Sequence, residues 1–128
     1  KLNKILAEIS AGELLDKITI LEIKKEKIKN ADKLAEITKE LNSLEVTSKQ
    51  NIPDKSEIIN LIKDLKIINL KLWDIEEGKR YAEKNKKFDD NFINLSREVY
   101  KTNDERAKIK LKINEILGSN IKEVKSHY

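Results

Sequence analysis

In VYKTNDERAKIKLKIN, residues 99–114, apolar positions recur at helical spacing, yet polar residues interrupt their face. At about 100° per residue, Val99 and Leu117 fall together, flanked by Ile109, Ile113 and Ile116 on one side and by Tyr100, Ala107 and Leu111 on the other. Asp104, Lys108, Lys112 and Glu115 take the opposite face, where solvent belongs. Asn103, Arg106, Lys110 and Asn114 fall inside the apolar arc. Their spacings of three and four make them one row of side chains.

The same periodicity, with its punctuation, predicts four helices. Ser10 opens the first as an N-cap, with Glu13 three residues on as a capping box, and the helix runs to about Asn30. NAD marks a break, and ADKLAEITKELNSLE forms the second helix. SKQNIPDKSE, which carries the proline, is the main interhelix loop. Asp54 or Ser56 caps a third helix reaching about Lys84. NKKFDD connects it to a fourth from Asp90 to Leu117, ended by Gly118. KLNKILAEIS and SNIKEVKSHY read as extended or irregular ends. Three glycines and one proline leave little room for more turns. The expectation is one all-α domain over residues 1–128: an antiparallel bundle of about four helices, the last two long, with extended termini. A chain of 128 residues can bury a core without disulfides.

The polar interruption recurs in the other helices. In the third, Trp73 shares a stripe with Asn69, Glu76 and Arg80, among Ile58, Ile59, Ile62, Leu65 and Leu70. In the first, Glu13, Lys17 and Lys24 lie in one row with Ile20. Singly, such residues are ordinary: lysine and arginine send their charge outward along an apolar stem, and one buried asparagine fixes helix register. As a group they are costly, because an intact buried ion pair is often no better than apolar packing. A polar cavity between helices one, three and four that receives a ligand accounts for the set. Its residues would be Glu13, Lys17, Lys24, Asn69, Trp73, Glu76, Arg80, Asn103, Arg106, Lys110 and Asn114. The excess of forked and point-like donors suits a carboxylate or phosphate, and backbone N–H groups at Ser10–Glu13 also favour anions.

Composition narrows the partners. The net charge is +4, but only three of 27 basic residues are arginine. Abundant Lys, Ile and Asn resemble the output of an AT-rich genome, so lysine content says little about nucleic acid. Basic residues are dispersed, acids are interleaved with them, and no docking motif is visible, so nucleic-acid binding is disfavoured. There is no cysteine, and the single histidine, His127, stands next to last, where a solvated surface position is expected. No metal or cofactor is expected. No apolar run spans a bilayer, and the opening residues lack a signal-peptide pattern, so a cytoplasmic protein is expected.

ISAGELLDKITILEIKKEKI, LWDIEEGKR, VYKTNDERAKIKLKIN and LGSNIKEVKSHY together resemble an uncharacterised family of small bacterial helical domains. The resemblance runs from Ile9 to Tyr128 and is weakest across the second helix and the proline loop. Members often have proline where this chain has Ala11. It implies recurrent polar positions at Glu13, Lys17, Lys24, Trp73, Asp74, Glu76, Arg80, Asn103, Asp104, Arg106, Lys110 and Asn114. It also implies a docked tail through Glu123, Lys125 and Tyr128, and a setting near sugar-transfer or cell-surface polysaccharide functions. No activity comes with it.

Three function classes remain. The preferred one is a non-catalytic binding or assembly module for a phosphate, carboxylate or sugar nucleotide. The second is a small enzyme working by electrostatic placement, with Glu13 or Glu76 as acid or base. The third is a homodimer whose polar rows set its register.

Overall fold

A computed structural model describes residues 1–125. The expectations for His127 and Tyr128 lie outside the described residues. Four helices follow one another: α1 (Ala11–Lys27), α2 (Ala31–Asn51), α3 (Ser56–Lys84) and α4 (Asp90–Leu117). There is no strand among the described residues, and none of the helices is long and apolar enough to cross a membrane.

Local chemistry sets most boundaries. Ser10 is extended, and its hydroxyl accepts the amide of Glu13 at 3.1 Å, as an N-cap should. The reciprocal half of the capping box is not made among the described residues, because the Glu13 carboxylate reaches Lys110 instead, at 2.7 Å. Lys24, Lys25 and Lys27 crowd the last turn of α1, where the helix dipole favours cations. The break at NAD is real: the Asn30 side chain caps α2 by accepting from the Lys33 amide at 3.0 Å.

The proline loop is shorter than the sequence suggested. Helix α2 absorbs Ser48–Asn51 and stops at Ile52, which is extended at φ −100° and ψ 119°. Pro53 causes this, since the residue before a proline is pushed out of the α region. The N-cap of α3 is Lys55, with no side-chain cap bond, rather than Asp54 or Ser56. Asp89 caps α4 by accepting the Phe92 amide at 3.2 Å. Gly118 ends α4 in the left-handed region at φ 61°, and the Ser119 amide returns to the Asn114 carbonyl at 2.9 Å.

Helix α1 is the centre of the bundle. It packs against each of the other three helices, α3 packs against α4, and α2 packs on α1. Helices α3 and α4 run antiparallel: Lys71 lies 3.4 Å from Glu98, and Gly78 sits beside Leu95. Helices α1 and α4 are antiparallel too, with Gly12 at Asn114 and Asp16 near Arg106. The core joins Leu14, Leu15, Ile18 and Leu21 of α1 to Ile37 and Leu41 of α2. From the hairpin it takes Ile58, Leu61, Leu65 and Ile113. These last four come from the start of α3 and the end of α4. Beyond them the hairpin continues as a two-helix arm that exposes Tyr81, Phe88, Ile93 and Tyr100.

Residues 1–10 and 119–125 are irregular, as expected. They meet through a side-chain bond, Asn120 Nδ2 to Glu8 Oε2 at 2.7 Å. Residues 119–125 form a strap along α4, held by Glu123 on Lys110 and Ser10 and by Lys125 on Asp104.

Candidate functional site

The polar residues of the apolar faces collect in two neighbouring places. The first lies where α1 crosses α4. Gly12 allows this approach: its amide donates to Asn114 Oδ1 at 2.7 Å, and a Cβ there would stand 2.5 Å from the Lys110 carbonyl oxygen. Asn114 is 1% exposed and Lys110 9%. The Lys110 ammonium donates to Glu13 Oε2 at 2.7 Å and to Glu123 Oε2 at 3.1 Å. Glu123 Oε1 also accepts from the Ser10 hydroxyl at 3.3 Å. A negative group does sit at the start of α1, but it belongs to the chain itself.

Asp16 is the hub of this arrangement and is 2% exposed. Its Oδ1 accepts from Asn69 Nδ2 at 2.8 Å, and Asn69 Nδ2 also donates to Thr19 Oγ1 at 2.9 Å. The Thr19 hydroxyl donates to the Asp16 carbonyl at 2.8 Å. Asp16 Oδ2 lies 3.7 Å from Arg106 Nε and 3.8 Å from Lys110 Nζ. Buried charge is tolerated only when paired and hydrogen-bonded, and Asp16 has both kinds of partner.

Titration follows the geometry. Burial pushes the Glu13 carboxyl up, but the hydrogen bond and charge of Lys110 and the charge of Lys17 outweigh it, so Glu13 stays below its ordinary range. Burial pulls Lys110 down, but hydrogen bonds to Glu13 and Glu123 and the charges of Asp16 and Glu13 hold it above its ordinary range. Both groups are ionised at neutral pH. Among the described residues no set of carboxylates is arranged to hold a metal ion.

The second place is a cleft of about 430 Å³ between α1, α3 and α4, within the size range of small-molecule sites. Ile20, Ile23 and Leu72 give it apolar walls, and Trp73 a flat half-buried face. Asn69, Glu76, Glu77, Arg80 and Arg106 supply the polar lining. Glu76 leans toward Lys79 at 3.7 Å. Arg80 has no ion pair among the described residues. Among the described residues Arg106 contacts an acid only through Nε.

The single interior expected from the sequence is therefore divided. Asn69, Trp73, Glu76, Arg80 and Arg106 line the cleft. Glu13, Lys110 and Asn114 belong to the α1–α4 crossing, and Asn69 and Arg106 reach Asp16 as well. Three expected residues join neither group. Lys17 is exposed and acts on Glu13 only through its charge. Lys24 lies in a depression shared with Ile28, Asp32 and Ile37, because α2 folds back onto that side of α1. Asn103 is half-buried but outside the cleft lining.

Asp16, Thr19 and Gly12 escaped the sequence reading. Their signal was the row Gly12–Asp16–Thr19, small or polar residues at spacings of four and three on an apolar helix face. Thr102 was missed too; it is fully buried, and its Oγ1 has no hydrogen-bond partner among the described residues.

No significant match was found among curated proteins or solved structures. A family model does match, over residues 5–128 and thus nearly the whole chain. The chain belongs to that family, DUF6165, a family of unknown function.

Proposed function

We propose that this chain is a non-catalytic binding module whose cleft between α1, α3 and α4 takes an anionic small molecule. The observation that carries the reading is the pairing of Arg80 and Arg106, from different helices, in one cleft with Trp73. Two guanidinium forks suit a carboxylate or a phosphate. Trp73, Ile20, Ile23 and Leu72 suit a flat or apolar body attached to it. Glu76 and Glu77 line the same cleft, and as acceptors they favour a ligand that also carries hydroxyl donors, such as a sugar nucleotide. Binding is preferred over catalysis because Glu13 is committed to Lys110 outside the cleft, which leaves Glu76 as the remaining acid–base candidate.

Trp73 is the only tryptophan, so its fluorescence reports on the cleft. Titration with inorganic phosphate, aromatic carboxylates and sugar nucleotides is expected to give a saturable change with at least one class. The change is expected to disappear in Arg80→Ala and in Arg106→Ala. A flat response to every anion would remove the reading.

A second reading, a homodimer, draws on the exposed Tyr81, Phe88, Ile93 and Tyr100 of the arm. Sedimentation equilibrium tests it: a monomer at high concentration would exclude it.

A further inference from the structure

We propose that the cleft and the C-terminal strap are coupled through Asp16, so that an anion held by Arg106 loosens the strap. The ligand arm of this inference rests on the anion-cleft reading; the coupling itself does not.

Asp16 Oδ2 lies between Arg106 Nε at 3.7 Å and Lys110 Nζ at 3.8 Å, beyond hydrogen-bond distance of both. The other carboxylate oxygen is fixed by Asn69 at 2.8 Å. A buried carboxylate in this position has two closed arrangements, one on each cation, separated by a small rotation. Arg106 faces the cleft and Lys110 holds the strap. Whatever draws Arg106 away from Asp16 leaves Lys110 as the carboxylate's nearest cation.

Lys110 then has three acids to satisfy. Glu13 is rigidly placed on α1, with its shorter 2.7 Å bond. Glu123 makes the longer bond, 3.1 Å, from an irregular segment, and its side chain is 48% exposed. Water replaces Glu123 most readily, so Glu123 is the partner that yields. Losing it also removes the Ser10 contact at 3.3 Å, leaving the outer strap with Lys125 on Asp104. By linkage the effect is reciprocal: releasing Glu123 frees Lys110 for Asp16 and Arg106 for the anion.

The test uses the full chain labelled with ¹⁵N. The heteronuclear NOE of the backbone amides of Ile121 to Lys125 reports strap motion on the ps–ns scale. Without any ligand, Arg106→Ala is expected to lower these NOEs toward free-chain values, while Arg80→Ala leaves them unchanged. In an Asp16→Asn background, Arg106→Ala is expected to have no further effect. Unchanged NOEs in Arg106→Ala overturn the proposal, as does an equal fall in Arg80→Ala. A second measurement does not depend on the buried variants folding. Glu123→Gln, at a half-exposed site, is expected to bind inorganic phosphate about five-fold more tightly by Trp73 fluorescence, the low end of common coupling. Equal affinities overturn the coupling. Where neither protein binds phosphate, the strap NOEs decide the coupling alone.

Discussion

The amide of Gly12 lies 2.7 Å from Asn114 Oδ1, and a methyl carbon on Gly12 would stand 2.5 Å from the carbonyl oxygen of Lys110. The first turn of α1 therefore rests on the backbone of α4. Glycine is needed here for close approach rather than for a left-handed conformation. That contact fixes the height at which Asp16 meets Arg106 and Glu13 meets Lys110.

Alanine substitutions at the two helical glycines are expected to have opposite signs. Helix propensity alone favours alanine by about 1 kcal/mol at either site. At Gly78 the new methyl would come 3.0 Å from Leu95 Cδ1, a side-chain atom that can turn aside, so Gly78→Ala is expected to raise stability by up to about 1 kcal/mol. At Gly12 the obstacle is backbone, so Gly12→Ala is expected to lose about 1–3 kcal/mol. Urea denaturation of both variants checks the signs, and a stabilised Gly12→Ala would contradict the close packing.

Lys110→Met removes the cation from Glu13, Asp16 and Glu123 at once. Leaving a buried charge without its partner typically costs about 3–5 kcal/mol, and Asp16, with its side chain 3% exposed, bears most of the loss. Adding Asp16→Asn to Lys110→Met is expected to recover part of it, since the amide still offers an oxygen to Asn69. A single-variant loss below about 1 kcal/mol, the scale of a surface pair, would mean that Lys110 is solvated in solution.

Stability is expected to fall at both ends of the pH scale. Burial works to raise the Glu13 pKa, but Lys110 and Lys17 hold it below its ordinary 4.5. A depressed carboxyl contributes stability that is fully present above the unfolded pKa and lost as pH falls through the folded one. Burial works to lower the Lys110 pKa, but Glu13, Glu123 and Asp16 hold it above its ordinary 10.5. A raised lysine contributes stability present below the unfolded pKa and lost as pH rises through the folded one. Melting temperatures across the pH range check both limbs. In Lys110→Met the alkaline limb is expected to flatten and the acid limb to become shallower.

Ser10→Ala removes an N-cap acceptor from the Glu13 amide and a donor to Glu123. Loss of a serine cap typically costs about 1 kcal/mol. Because the hydroxyl also holds the strap, proteolysis after Glu123 by a glutamate-specific protease is expected to quicken more than the stability loss alone would give. Cleavage at the wild-type rate would argue that the Lys110–Glu123 and Lys125–Asp104 pairs retain the strap without Ser10.

Much of the helical framework was written locally. Ser10, Asn30, Asp89 and Gly118 mark their boundaries through caps that each residue makes with its own neighbours. The apolar stripe of α4 likewise exposed Lys110 and Asn114 as polar residues on a buried face. Lys55 broke the pattern as a cap without a side-chain bond, because Pro53 stopped α2 whatever residue followed. Lys24 lies toward α2 rather than in the cleft, because a wheel gives a direction around one helix and cannot say which neighbour occupies it.

By itself, the sequence determined the all-helical class, most of the helix ends and which faces carry misplaced polarity, since these depend on periods of three and four residues and on bonds within one turn. Tertiary structure alone decided that the polar rows separate, with Lys110 answered by Glu13, Asp16 and Glu123 and the cleft left to Trp73, Arg80 and Arg106. Pairing between charges depends on the crossing and height of helices set by contacts such as Gly12 on α4. Glu13 and Glu123, 97 and 13 positions from Lys110, therefore meet on the same ammonium group.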